Sequence, residues 1–256
     1  MTFLINLYIL IAGLLVGSFL NVCIYRIPRR ESIAFPPSHC TACGASLKPL
    51  DLVPLFSYLF LRGKCRYCGE KISHRYFIIE SIHGLGWLGI ALSFGTTLHA
   101  LAGMMLFSMT LVISAIDLEH GIIPDGLSAM LLGTGVLYHF LSLDISFLNR
   151  LLGMAIGFGL LFLLAVISKG GMGGGDIKLC AGIGFWLGFP GFLYALLAAS
   201  IIGSVASIAL MAIKKKGIKE TIPFGPFLMI GFLLMYFYQA EILQGYWNLM
   251  MNLYGL

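Results

Sequence analysis

Apolar runs of membrane-spanning length, separated by short polar turns, set the pattern of this chain. A stretch of about 17–25 apolar residues crosses a bilayer as a helix. Eight such runs are visible, at roughly 4–24, 77–94, 98–116, 126–143, 148–168, 177–190, 191–213 and 225–243. The sixth is short and joins the seventh through "GFPGF", which reads either as a tight hairpin or as two unequal helices. The only sizeable polar segment, about residues 25–75, lies between the first and second runs and is rich in Pro, Cys, Arg and Lys. The pattern predicts an all-α polytopic membrane protein with about eight transmembrane helices. Its parts are a first helix at 1–24, a polar loop domain at 25–75 and a transmembrane domain at 76–256. The first run is long, has no Lys or Arg before it, and shows no small-x-small site ahead of "CIYRIPRRE", so it reads as a retained helix rather than a cleaved signal.

Composition agrees with that class. The 256 residues are 59% hydrophobic and only 11% charged, with a mean hydropathy of +0.95, whereas a soluble domain carries about 25% charged residues. The 32 glycines suit helices packed closely through small residues, as in "GMAIG" at 153–157. A net charge of +5 would suggest nucleic acid in a soluble protein. In a membrane protein the location of the charges matters more than their sum, and no nucleic-acid partner is expected. Nine of the sixteen Lys and Arg residues fall in 25–75. Lys169 and Lys178 flank a glycine turn, and Lys214, Lys215, Lys216 and Lys219 form a cluster. With eight spans, every cation except Arg150 lies on one side, which the positive-inside rule makes cytoplasmic, with both termini outward. Asp144 and Arg150 then read as a solvated pair in an outer loop.

The polar loop holds "CTAC" at 40–43 and "CRYC" at 65–68. Two C-x2-C knuckles can bring four thiolates around one tetrahedral zinc ion, and the reducing cytosol disfavours disulfides. Four thiolates from Cys40, Cys43, Cys65 and Cys68 leave no open coordination position, so this zinc is expected to be structural. Gly44 and Gly69, one after each pair, suit tight turns around the metal. His39 is a minor competitor as ligand, and Cys23 and Cys180 read as buried thiols.

Among only eleven acidic residues, Asp117 and Asp176 sit where an anion is expensive. Read singly, Asp176 after "GGG" is equally a helix N-cap, and Asp117 an interfacial charge. Together they fall at the same cytoplasmic membrane face, which favours a shared aspartic protease dyad. In such a dyad one carboxylate activates water and the other, protonated, polarises the carbonyl. A helix N-terminus at Asp176 favours the ionised role there, leaving Asp117 as the protonated partner. Lys178 reads as a positive-inside anchor, and His120 is the histidine nearest this turn.

These residues reach a resemblance. "GMGGGD" resembles the G-x-G-D motif of intramembrane-type aspartic proteases. The full chain resembles the type IV prepilin peptidase family, through "IYRIPRRES", "PPSHCTACG", "LRGKCRYCGEKISHRYFIIE", "AIDLEHGIIPD", "GMGGGDIKL" and "IPFGPFL" in that order. The resemblance implies a bifunctional enzyme of the bacterial inner membrane. Such an enzyme removes a short basic leader from prepilins or pseudopilins, then methylates the new amino terminus with S-adenosylmethionine. It assigns catalysis to Asp117 and Asp176 and zinc to the four cysteines. Asp125 is the runner-up for the first role, ranked lower because it follows Pro124 and reads as the N-cap of the fourth helix.

Methyl transfer rests on the resemblance alone, since "GMGGGD" has no strand–helix frame of a dinucleotide site. Glu31, Asp51 and Glu70 of the loop, with Glu80 near the second span, are the candidates for contacting the methyl donor or the amine. The alternatives are a transporter with a polar path past Asp117, Asp176 and Lys178, or a zinc-loop scaffold that assembles a secretion complex. No internal repeat supports the first, and the second predicts that both aspartates are dispensable.

Overall fold

A computed structural model describes residues 2–142, 144–169, 171–214 and 222–254. Lys215, Lys216 and Lys219 of the predicted basic cluster lie outside the described residues. The regular structure described is helical apart from two isolated β-bridges. The chain divides into two compact units, Met1–His120 and Gly121–Leu256.

The first unit holds α1 (Thr2–Arg26), the short α2 (Phe56–Phe60), α3 (His74–Phe94) and α4 (Leu98–His120). Lipid is as apolar as a leucine side chain, so helices in a bilayer associate through close backbone approach and interhelical hydrogen bonds. Both devices are present. A Cβ on Gly13 would stand 3.0 Å from Gly84 Cα, and one on Gly17 would stand 3.1 Å from Glu80 Cα, so only glycine lets α1 lie this close to α3. Buried His83 of α3 reaches Gly13 O at 2.6 Å and Ser108 Oγ at 2.8 Å, while Trp87 Nε1 donates to Met104 O at 3.0 Å. These bonds tie α3 to both α1 and α4.

The second unit holds α5 (Asp125–Ser142), α6 (Phe147–Ile167), α7 (Gly174–Lys214) and α8 (Gly225–Tyr254). The small-residue packing expected of "GMAIG" is borne out. A Cβ on Gly153 would collide with Gly184 O, and one on Gly157 with Cys180 O, both on α7. The predicted sixth and seventh runs are the two halves of α7, which breaks at Gly188 (φ 71°) just before Pro190. Pro190 has no N–H to give the Trp186 carbonyl four residues back. The neighbouring helix supplies the missing partners. Arg150 Nη1 donates to Trp186 O at 2.9 Å and Phe185 O at 3.2 Å, and Asn149 Oδ1 accepts the Phe189 N–H at 3.1 Å.

Arg150 is therefore fully buried, at 0% exposure, with Nη2 on Asp144 Oδ1 at 2.6 Å. The expected pair forms and Asp144 is 46% exposed, but the expectation is corrected for Arg150, whose guanidinium the carbonyls orphaned by the break draw inward. Burial works against the Asp144 charge, but the Ser142 hydroxyl and the Arg150 guanidinium hold its carboxyl below the ordinary carboxylate value.

Six helices among the described residues, α1, α3, α4, α6, α7 and α8, are long and apolar enough to cross a membrane. The fold is the predicted multi-pass helical class, but a count of eight is not confirmed. Two predicted spans belong to one broken helix, and α5, diluted by Asp125, Thr134 and His139, is not among the six.

Candidate active site and metal centre

The two C-x2-C pairs build the same turn twice. Cys40 N–H donates to Ala45 O at 2.9 Å and Gly44 N–H to Cys40 O at 2.8 Å. In the second copy Cys65 N–H donates to Glu70 O at 2.8 Å and Gly69 N–H to Cys65 O at 3.0 Å. Gly44 (φ 71°) and Gly69 (φ 73°) take the left-handed conformation that a Cβ disfavours. Antiparallel bridges His39–Ser46 and Lys64–Lys71 close the bases of the two turns.

The four cysteine sulfurs lie within 4.8 Å of one another, with Cys40 Sγ and Cys68 Sγ 3.9 Å apart. Zinc–sulfur bonds of about 2.3 Å in a tetrahedron place sulfurs about 3.8 Å apart, so the donor set fits a metal ion. All six cysteines are free thiols, and Cys23 and Cys180 are buried as expected. His39 engages Pro37 O at 3.1 Å. The Cys43 and Ala42 N–H groups lower the Cys40 thiol to about 7. For Cys68 the Glu70 N–H pulls down, yet burial and the other three thiols together push it up to about 12. A divalent cation bound by the four sulfurs would displace their thiol protons.

Asp51 braces the second knuckle. It accepts Arg66 Nε at 2.5 Å, the Tyr67 hydroxyl at 3.0 Å and the Lys48 N–H at 3.1 Å, and the Arg66 guanidinium holds it below the usual carboxylate range.

A cavity of about 680 Å³ lies within this unit, lined by both knuckles and by α1, α2 and α3. Leu15, Phe19 and Val22, spaced four and three residues apart, form its apolar wall on α1. Tyr76 and Glu80, one turn apart on α3, also line the cavity. Of the four predicted contact residues, Asp51, Glu70 and Glu80 line this cavity, whereas Glu31 is exposed and is not among the lining residues. Glu80 Oε2 accepts the Leu55 N–H at 2.8 Å. Sequence reasoning missed Tyr25, Tyr58, Arg75 and Tyr76, which also line it. The available signal was the helical spacing of Tyr25 with Arg29 and of Tyr76 with Glu80 at the ends of α1 and α3.

Asp117 lies in the last turn of α4 and is buried, at 6% exposure. Asp176 is half-buried in the first turn of α7, which opens at Gly174, so this aspartate sits inside the helix rather than before it. A Cβ on Gly173 would stand 3.0 Å from Asp176 Oδ2. At Gly175 a Cβ would meet Ile123 Cβ at 2.8 Å and Ile123 O at 3.1 Å, so glycine is what lets the segment before α5 press against the start of α7. Asp125, in the first turn of α5, pairs with Lys178 Nζ at 2.7 Å, with side-chain exposures of 72% and 52%. An ion pair that exposed adds little stability.

Comparison with known proteins agrees with this anatomy. Residues 11–94 match the bacterial peptidase A24 N-terminal domain, and residues 104–208 match the type IV leader peptidase family. A prepilin leader peptidase/N-methyltransferase of Xanthomonas campestris pv. campestris is 32% identical over 262 residues, covering 91% of each chain. One of Bacillus subtilis is 33% identical over 236 residues, covering 92% of this chain and 95% of the relative. A third, from Pectobacterium carotovorum subsp. carotovorum, is 32% identical and covers 86% of this chain and 88% of its own. No solved structure matches. With both domains matched in order and relatives aligned over nearly the whole length, the chain belongs to the type IV leader peptidase family.

Proposed function

We propose that this protein is a membrane aspartic endopeptidase that removes the short basic leader from type IV prepilins or pseudopilins and then methylates the new amino terminus. The observation that carries the reading is Asp117, a carboxylate at 6% exposure in the last turn of a membrane-length helix, where an idle acid is costly. The names of the aligned relatives, prepilin leader peptidase/N-methyltransferase, support both activities.

Asp117 and Asp176 are assigned as the dyad, with Asp125 less suited because it is exposed and paired with Lys178. Asp176, in the first turn of α7, takes the ionised role and Asp117 the protonated one. Asp176 accepts a proton from water as its oxygen attacks the scissile carbonyl, while Asp117 donates to the carbonyl oxygen. The tetrahedral intermediate collapses when a proton passes from the dyad to the leaving amine, which becomes the new amino terminus. The glycine turn lets backbone pass close to an extended substrate.

Methyl transfer is assigned to the 25–75 loop with the cavity walls of α1 and α3, and peptide cleavage to 76–256. A volume of about 680 Å³ lies within the range of about 300–1,000 Å³ usual for small-molecule sites. Tyrosine rings and carboxylates suit an adenine, a ribose and a sulfonium. S-adenosylmethionine, when bound, supplies an electrophilic methyl group. The Tyr25, Tyr58 and Tyr76 rings shape the cavity, Glu70 orients the neutral amine, and a carboxylate takes the proton released when the nitrogen–methyl bond forms. One Zn2+ held by Cys40, Cys43, Cys65 and Cys68 keeps the loop folded and takes no part in the chemistry. The zinc loop and the dyad face the cytoplasm of a bacterial inner membrane, with both termini outward.

Mass spectrometry of a purified prepilin incubated with the detergent-solubilised enzyme tests the reading. The expected products are a shortened pilin without S-adenosylmethionine and a shortened pilin bearing one added methyl group with it. An intact prepilin under both conditions refutes the assignment.

A further inference from the structure

We infer that Arg75 and Glu119 form a positioning pair that holds the last turn of α4, and with it Asp117, in place for peptide cleavage. The inference rests on Asp117 being one of the two catalytic carboxylates. Arg75 is the second residue of α3, and Glu119 stands two residues beyond Asp117 in the same unit. One guanidinium nitrogen, Arg75 Nη1, donates to both carboxylate oxygens of Glu119, at 2.6 Å and 2.9 Å.

The need for such a tie follows from how α4 ends. Ile113 and Ile116 are fully buried and Asp117 nearly so, but the next three residues, Leu118, Glu119 and His120, are all exposed. The final carbonyls of a helix have no intrahelical donors, and terminal turns fray. Asp117 is thus the last residue of α4 held by burial, and the turn after it has no core to hold it. The Arg75–Glu119 pair supplies an anchor at that point, and its far end is firm. Ser73 Oγ caps α3 by accepting the Arg75 N–H at 3.3 Å, and the Arg75 guanidinium lies over the Tyr76 ring at 5.4 Å. Side-chain exposures of 20% for Arg75 and 38% for Glu119 shield the pair in part, and hydrogen bonds between charged groups are stronger than neutral ones.

Arg75 also lines the 680 Å³ cavity, whereas Glu119 does not. Glu119→Gln therefore weakens the tie without touching the cavity wall. Displacing a catalytic group by about 1 Å can cost on the order of a hundredfold in rate, and partial loosening of one turn is expected to cost about tenfold.

The experiment measures kcat and KM for prepilin cleavage, and S-adenosylmethionine binding by calorimetry, in full-length protein in detergent with thermal unfolding checked. The variants are Glu119→Gln, Arg75→Lys, Arg75→Ala, the charge exchange Arg75→Glu with Glu119→Arg, and Asp117→Asn as reference. The expected result for Glu119→Gln is a kcat lowered about tenfold, with KM and methyl-donor binding unchanged. Arg75→Lys should fall less than Arg75→Ala, and the charge exchange should recover most of the loss. Wild-type kcat in folded Glu119→Gln and Arg75→Ala, with Asp117→Asn inactive, overturns the pair alone. A charge exchange no better than either single variant also overturns it. An active Asp117→Asn would instead remove the catalytic assignment, and this inference with it.

Discussion

Replacing Glu80 with alanine should loosen the methyl-donor cavity while leaving peptide cleavage largely intact. Glu80 is 6% exposed and accepts the Leu55 N–H at 2.8 Å. Leu55 has φ 61° and ψ −50°, a backbone conformation that a leucine rarely takes, and such residues cost roughly 1–3 kcal/mol each. A hydrogen bond to a carboxylate contributes about 1.5–3 kcal/mol, enough to offset that strain and keep α2 over the cavity. Without it Leu55 is free to relax, and the competent form of the cavity falls in population by about 10–150-fold, taking 1.36 kcal/mol per factor of ten. Apparent affinity for S-adenosylmethionine should fall with that fraction. Titration calorimetry on the full-length protein in detergent measures it directly. Glu80→Gln, which keeps an acceptor, should lose less than Glu80→Ala, by on the order of 1 kcal/mol. Wild-type affinity in Glu80→Ala, with an unchanged proteolysis pattern of the 25–75 loop, would refute this reasoning.

Other outcomes follow from the same contacts. Cys65→Ser should lower zinc content and abolish methylation while cleavage persists, as judged by metal analysis and product mass. Gly175→Ala places a methyl group 2.8 Å from Ile123 Cβ and 3.1 Å from its carbonyl; with little room to give, it should destabilise the unit by roughly 1–3 kcal/mol, seen as a lower unfolding temperature. Arg150→Met removes the partner of two buried carbonyls at the α7 break, at about 1–3 kcal/mol for each group left unsatisfied, while Asp144, 46% exposed, stays solvated; denaturant titration measures the loss. Asp51, held below the usual carboxylate range chiefly by Arg66, contributes its full stabilisation above that range and loses it as pH falls through the depressed value. Loop unfolding monitored by proteolysis should therefore show an acid limb that Asp51→Asn flattens.

Much of this molecule is written locally. The C-x2-C pairs, each followed by a glycine, specify their two turns through a few backbone bonds, and the four sulfurs of those turns converge. Asp117 and Asp176 stood out because charge at membrane depth is rare and expensive. Long-range partnerships were harder to read. Nothing in the sequence near Arg150 says that its guanidinium will serve carbonyls of residues 185 and 186, because that need arises only where Pro190 breaks a helix packed alongside. The span count suffered for the same reason, since a glycine–proline break inside α7 and an end between two helices look alike in the hydropathy pattern. Among the acidic residues near the loop, Glu31 reads from the sequence as the leading candidate, ahead of Glu80. The packing of α1 on α3 reverses that order, leaving Glu31 exposed and placing Glu80 in the cavity wall.

The central claim is that Asp117 and Asp176 together cleave the peptide bond. Its most direct test is the cleavage of a purified prepilin by folded Asp117→Asn and Asp176→Asn variants, run beside methylation of an already shortened pilin. The account predicts that both variants lose cleavage and keep methylation. Cleavage at the wild-type rate by either variant would contradict it.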